Sequence, residues 1–216
     1  MERLLASFLQ IGAGAIVTLQ MLLGGILISS SIGTLLSVIR FSKSKLCTFI
    51  IDRFVSIIRG TPLILQLSLI YFSVPGILGV KLSVLSAGVV AFGINSSAYF
   101  AEILRSGIES LPKGQFEAAK TLGIPRFYMW KDIIMPQVFI NIFPAIINEI
   151  IALLKETAMI SVIGGMDIMR SSQTIAAEQY EYFVPLCMAG AYYYSLVVFI
   201  EFIGRKMENK MAYAKG

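Results

Sequence analysis

Glu117 to Gln137 reads EAAKTLGIPRFYMWKDIIMPQ, a polar arm set between hydrophobic segments long enough to cross a membrane. Within and just before it, Gln115 to Leu122 favours helix, Gly123 permits a left-handed break, and Pro125 suits the first turn of a second helix. The pattern predicts two short helices folded at Gly123, with Pro136 marking the approach to the next apolar segment. Phe116, Ala119 and Leu122 share one face of the first helix, and Phe127, Trp130 and Ile134 share one face of the second. Faces of that kind need a partner or a membrane surface.

The segments on either side set the solvent. The chain has 216 residues, 56% hydrophobic and 14% charged, which is too apolar for a water-soluble domain of this size. A hydrocarbon core takes about 20 helical residues per crossing, so the chain supplies about five crossings with short loops. We expect an all-α polytopic membrane protein whose residues 1–216 form one domain, with helices near 15–39, 54–74, 82–103, 139–162 and 183–203 and a polar loop over about 105–137. Ser7 to Ala13 reads as an interfacial lead-in, Pro75-Gly76 as an exit turn, and Ser171 to Tyr182 as a partly immersed surface segment.

The net charge of +5 is spread through short segments between apolar runs, with no dense basic face, so membrane topology explains it better than nucleic acid. Arg40, Lys43, Lys45, Arg53, Arg59, Arg105, Lys113, Lys120, Arg126, Lys131, Arg205, Lys206, Lys210 and Lys215 fall on one side of five crossings; Arg3, Lys81, Lys155 and Arg170 do not. By the positive-inside rule the arm and the carboxyl terminus are expected in the cytoplasm and the amino terminus outside. Cys47 and Cys187 lie far apart and suggest no disulfide framework. With no histidine in the chain, His-based acid–base catalysis, Ser-His and Cys-His pairs and most zinc sites are excluded.

Polar residues inside the apolar segments recur at helical spacing. Arg59, Gln66 and Ser73 do so on the second helix, Asn95, Tyr99 and Glu102 on the third, and Asn141, Asn148 and Lys155 on the fourth. Such seams avoid lipid and suggest an internal path, with interhelical hydrogen bonding as the alternative for any single Asn or Gln. Lys155 and Glu156 offer opposite charges to a zwitterion, or a salt bridge that satisfies itself, and Glu149 extends the same face. Glu102 either faces substrate or pairs with Arg105 or Arg59. Ser161 to Gly165 closes the fourth helix with a glycine pair, readable as an external gate or as simple termination.

The arm closely resembles the EAA loop of ABC importer permeases, whose pattern is Glu-Ala-Ala, three residues, Gly, nine residues, Ile, one residue, Leu-Pro. Glu117-Ala118-Ala119, Gly123, Ile133 and Pro136 match every spacing, with Met135 in place of the Leu. Arg59-Gly60-Thr61-Pro62-Leu63, Ala98 to Ile103, Pro112 to Gln115 and Leu154 to Thr157 resemble the polar amino-acid uptake branch, the histidine/glutamine type. A basic residue common shortly after the Pro-Gln pair is Ile140 here, and Glu156 and Ala158 replace the commoner Asp and Ser.

The resemblance implies a type I ABC importer permease fold and a bacterial inner (cell) membrane location. It also implies that Glu117, Ala118, Ala119, Gly123, Pro125, Ile133 and Pro136 couple to a separate ATPase subunit. Arg59, Thr61, Gln66, Asn95, Tyr99, Glu102, Asn148, Glu149, Lys155, Glu156 and Thr157 are the expected substrate path. No Gly-x-x-x-x-Gly-Lys-Ser/Thr motif is present, since Ala119 precedes Lys120-Thr121, so ATP and its magnesium are expected on the partner. The other implied partners are a solute-binding protein, a second copy or sister permease, and the bilayer. The implied function is uptake of a polar amino acid, glutamine foremost; an ion- or proton-coupled carrier or channel subunit using Glu102, Glu149, Lys155 and Glu156 is the alternative. An intramembrane enzyme finds no metal cluster or nucleophile–base pair to support it.

Overall fold

The computed structural model describes residues 2–41 and 44–213; Lys43 and Lys215, counted in the charge argument, lie outside them. The described residues are mostly helical, joined by short turns, without strands. Helix α1 (Glu2–Ala13) leads into α2 (Ala15–Arg40), and the two together form one apolar span. Then come α3 (Lys45–Gly60), α4 (Leu63–Ser68), a π-helical stretch (Leu69–Ser73) and α5 (Val74–Leu78). Helix α6 (Val84–Glu109) is the central span. The arm follows as α7 (Lys113–Thr121) and α8 (Arg126–Tyr128), the latter continuing through a π stretch (Met129–Ile134) into α9 (Met135–Glu156). A 3₁₀ segment (Thr157–Ile163), α10 (Ile168–Gln179) and α11 (Phe183–Tyr213) complete the chain.

Four helices are long and apolar enough to cross a membrane, and a bent pair brings the number to five. The bent pair corrects the expected helix at 54–74. α3 already begins at Lys45, and the chain turns by 101° between Gly60 and Leu63. Pro62 explains the turn, because it has no N–H to give and pushes Thr61 into extended backbone, at φ −118° and ψ 144°. Pro75 is likewise not an exit turn: it occupies the first turn of α5, where a missing N–H is harmless, and Gly79 makes the exit in left-handed conformation.

The core is built by α2 against α6. Gly33 and Gly93 let the two backbones close, since a Cβ on Gly33 would lie 2.9 Å from Ser97 O and one on Gly93 2.6 Å from Ile28. Met21, Leu67, Ala91, Phe92, Leu153 and Ile160 bury together where α2, α4, α6, α9 and the 3₁₀ segment meet. A second cluster, with Leu104, Ala119, Met129, Ile134 and Val138, fastens the arm to α6 and α9.

Three further boundaries differ from the sequence reading. α6 runs two turns past Ile103, so Arg105 belongs to helix and not to the loop. The second arm helix is not separate, because Arg126 to Ile163 is one continuous span of 38 residues in which the π stretch precedes Pro136 and absorbs its missing donor. The segment expected at the surface from Ser171 to Tyr182 is mostly helix α10, whose Ile168, Ser171, Ser172, Ile175 and Ala176 are buried.

Candidate functional site

The arm presents its motif residues on two sides of α7. Ala119 is buried in the second core cluster, beside half-buried Phe116, while Glu117 and Ala118 are exposed. Phe116 and Phe41 both meet the Trp130 ring, at centroid distances of 6.0 and 6.3 Å. Gly123 takes φ 67°, a conformation L side chains rarely adopt, and nothing stands within 4 Å of where a Cβ would be. Pro125 caps α8 and is exposed, Ile133 is half-buried, and Pro136 is exposed at the start of α9. Of the predicted apolar faces, Ile134 is buried, but Leu122 is 75% exposed and Phe127 68% exposed. The rigid side of the arm is therefore spent on its own protein, and Glu117, Ala118, Leu122 and Phe127 remain outward.

A charged cluster lies at the end of the bundle that carries the arm. Glu102 on α6 accepts from Arg40 of α2 at 2.5 Å through Oε1, and from Arg105 through Oε2, 2.8 Å from Nη2 and 3.0 Å from Nε. Arg59, at the end of α3, stands 3.7 Å from the same Oε2, with its guanidinium 5.2 Å from the Tyr99 ring centroid. Arg40 also pairs with Asp52 at 2.7 Å, and Arg105 with Glu109. One carboxylate thus gathers arginines from α2, α3 and α6. Around them is a cavity of about 440 Å³ lined by Arg40, Asp52, Val55, Ser56, Arg59, Gly60, Tyr99 and Glu102. The sequence reading paired Glu102 with Arg105 or Arg59; the structure does both and adds Arg40 and Asp52, which it missed. Arg59 has the longest contact of the three guanidiniums and rests on an aromatic face, so it keeps donors for a carboxylate entering the cavity.

Three residues expected along a substrate path are tied into the bend. Gln66 Nε2 donates to Ile58 O at 2.8 Å, Thr61 Oγ1 at 2.8 Å and Thr61 O at 3.3 Å, which satisfies carbonyls left open where α3 stops. Its Oε1 accepts from Asn95 Nδ2 at 3.0 Å. Gln66, Thr61 and Asn95 therefore brace the break against α6, and the Arg59–Gln66–Ser73 stripe does not continue straight through it.

The predicted seam on α9 divides. Glu149 accepts from Ser96 Oγ of α6 at 2.6 Å, and Thr157 is fully buried with its hydroxyl on Leu154 O at 2.7 Å. Lys155 is exposed and Glu156 half-buried, and no ion pair joins them among the described residues, as expected for neighbours that point to different sides of a helix. Asn148 is exposed and borders a cavity of about 190 Å³ shared with Glu201, Arg205 and Glu208 of α11.

Sequence reasoning also missed Asp167. This fully buried carboxylate caps α10 through Arg170 N at 2.9 Å and accepts from Tyr193 Oη of α11 at 2.9 Å. Burial pushes its pKa above the usual carboxylate range, and those hydrogen bonds offset part of that rise. Asp three residues before Arg170 is a readable cap; its tie to α11 is not. Ser161 to Gly165 forms the 3₁₀ segment's end, with Gly164 at φ 87°.

Comparison with known proteins gives the site its context. The family model described as "Binding-protein-dependent transport system inner membrane component" matches residues 25–213. A Rickettsia typhi protein named as a glutamine transport system permease, GlnP, is 46% identical over 198 residues, covering 92% of this chain and 91% of its own. The arginine transport system permease protein ArtQ of Bacillus subtilis is 43% identical, covering 92% and 90%. Among solved structures, an amino acid ABC transporter crystallised with histidines superposes with a TM-score of 0.87 at 35% identity, covering 93% of this chain and 94% of that one. The inward-facing methionine transporter MetNI shares the fold, with a TM-score of 0.74 at 20% identity.

Proposed function

This chain belongs to the inner membrane components of binding-protein-dependent transport systems, and we propose that it is the permease subunit of an ATP-driven importer of polar amino acids, with glutamine as its substrate. The observation that carries the reading is the arm: an intact EAA spacing whose Glu117, Ala118 and Leu122 stand outward while Ala119 anchors the same helix. The glutamine and arginine relatives are named as transport system permease proteins, and the nucleotide chemistry is assigned to a separate ATPase carrying ATP and magnesium. Its closing motion reaches the bundle through α7, α8 and the continuous helix they feed.

Fourteen of the eighteen Lys and Arg residues fall on the arm's side, which supports a cytoplasmic arm and carboxyl terminus with the amino terminus outside. A solute-binding protein delivers the amino acid from outside. The exposed polar stripe Asn141, Asn148 and Lys155 on a membrane-spanning helix calls for a second permease, a copy or a sister chain, across an aqueous path. Within that path Arg59 over Tyr99 suits the substrate carboxylate, and Glu149, Lys155 and Glu156 line the way. Glutamine is favoured over arginine by similarity to the rickettsial relatives.

The test is uptake in vesicles holding the chain with its ATPase and binding protein. Glutamine accumulation that requires ATP, and is not displaced by excess arginine, is the expected result. Accumulation driven by an ion gradient without any ATPase would overturn the importer reading, and arginine uptake in place of glutamine would overturn the substrate.

A further inference from the structure

We propose that the groove between α2, α6 and the start of α9 is a binding site for an anionic phospholipid, with an acyl chain in the groove and the phosphate on Arg126. The groove has a volume of about 510 Å³ and an almost wholly apolar lining, including Val38, Phe100, Leu104 and Phe139. It follows the helices inward from the arm: along α9 alone, Met135 to Ile146 spans roughly 16 Å at the rise of an α-helix. Its rim is open, since Val38 is 66% and Phe139 52% exposed.

Charge decides the occupant. Arg126 is the one charged residue among the described residues lining the groove, and it sits at the arm end beside Trp130. No described acidic side chain pairs with it. The neighbouring hydroxyl of Ser37 is already spent on Ala101 O at 3.2 Å. Tryptophan and arginine together mark the depth at which headgroups lie, so an apolar slot below and a free guanidinium above match one amphiphile with a negative headgroup. Each cation near an anionic surface favours binding by about fivefold, which sets the size of the expected preference.

The chain contains a single tryptophan, Trp130, and it lines this groove, so its fluorescence reports occupancy directly. The full-length chain is reconstituted in bilayers of phosphatidylcholine containing brominated phosphatidylglycerol or brominated phosphatidylcholine at matched fractions. The anionic phosphatidylglycerol is expected to quench Trp130 with about fivefold higher affinity than phosphatidylcholine. Arg126→Gln should erase that preference while Arg126→Lys and Lys131→Gln keep it, Lys131 being committed to the Phe127 ring at 5.9 Å. Inorganic phosphate should not compete. Equal quenching by both lipids, a preference retained in Arg126→Gln, or loss of quenching to free phosphate would each overturn the proposal. So would protection of Trp130 by an added ATPase subunit with no lipid preference, which would assign the groove to protein.

Discussion

Gln66 carries more of the structure than its position suggests. A proline inside a membrane-embedded segment frees carbonyls that lipid cannot satisfy, and one amide side chain covers those of Ile58 and Thr61 while holding Asn95. Gln66→Leu is expected to cost about 1–3 kcal/mol, read as a lower thermal unfolding midpoint in detergent, whereas Gln66→Glu should recover part of it only when protonated. Asp167 allows a pH test with a defined sign. Its folded pKa is raised, so its contribution to stability is complete below the ordinary carboxylate range and is lost as pH rises through the raised value. Asp167→Asn cannot ionise, and unfolding followed from about pH 4 to about pH 8 should show a flatter profile than the parent chain. A steeper profile in the variant would reverse the assignment.

Among the elements, the arm separates local fit from coupling. Gly123 stands at φ 67° with open space around it, so Gly123→Ala should cost about 1–2 kcal/mol through backbone strain alone and leave the neighbouring contacts intact. The measurement is thermal stability, and a loss several times larger would mean that the turn is packed and not free. The elements also show what the sequence displays. Hydropathy placed the first long helix at 15–39, against Ala15–Arg40, because an uncharged run ending at Arg40 admits few other readings. It extended 54–74 straight through Thr61-Pro62, because apolarity records depth in the membrane but not direction. It ended the last helix near 203 where apolar residues end, although α11 continues to Tyr213 with Arg205 paired to Glu201 one turn earlier. The site was legible where chemistry is local, as in the arm's spacing, and hidden where it is not. Arg40 is 62 residues from Glu102, and no periodicity within either helix announces their meeting.

For the whole molecule, Glu102 joins α2, α3 and α6 at the end of the bundle that carries the arm. Glu102→Gln removes the charge that holds Arg40, Arg59 and Arg105 together, leaving Arg59 without a carboxylate partner while Arg40 keeps Asp52 and Arg105 keeps Glu109, and is expected to destabilise the chain by about 1–3 kcal/mol; a shift near zero in the unfolding midpoint would show that solvent already screens the cluster. In the proposed importer, the outward side of α7 receives motion from a separate ATPase. Ala118 is exposed and belongs to none of the core clusters among the described residues, so Ala118→Trp should fold normally and obstruct only what docks there. The direct measurement is ATP hydrolysis stimulated by substrate-loaded binding protein, in vesicles containing the permease with its ATPase. We predict that stimulation is lost in Ala118→Trp while the variant still inserts and resists unfolding like the parent chain; stimulation at the parent's level would contradict the claim.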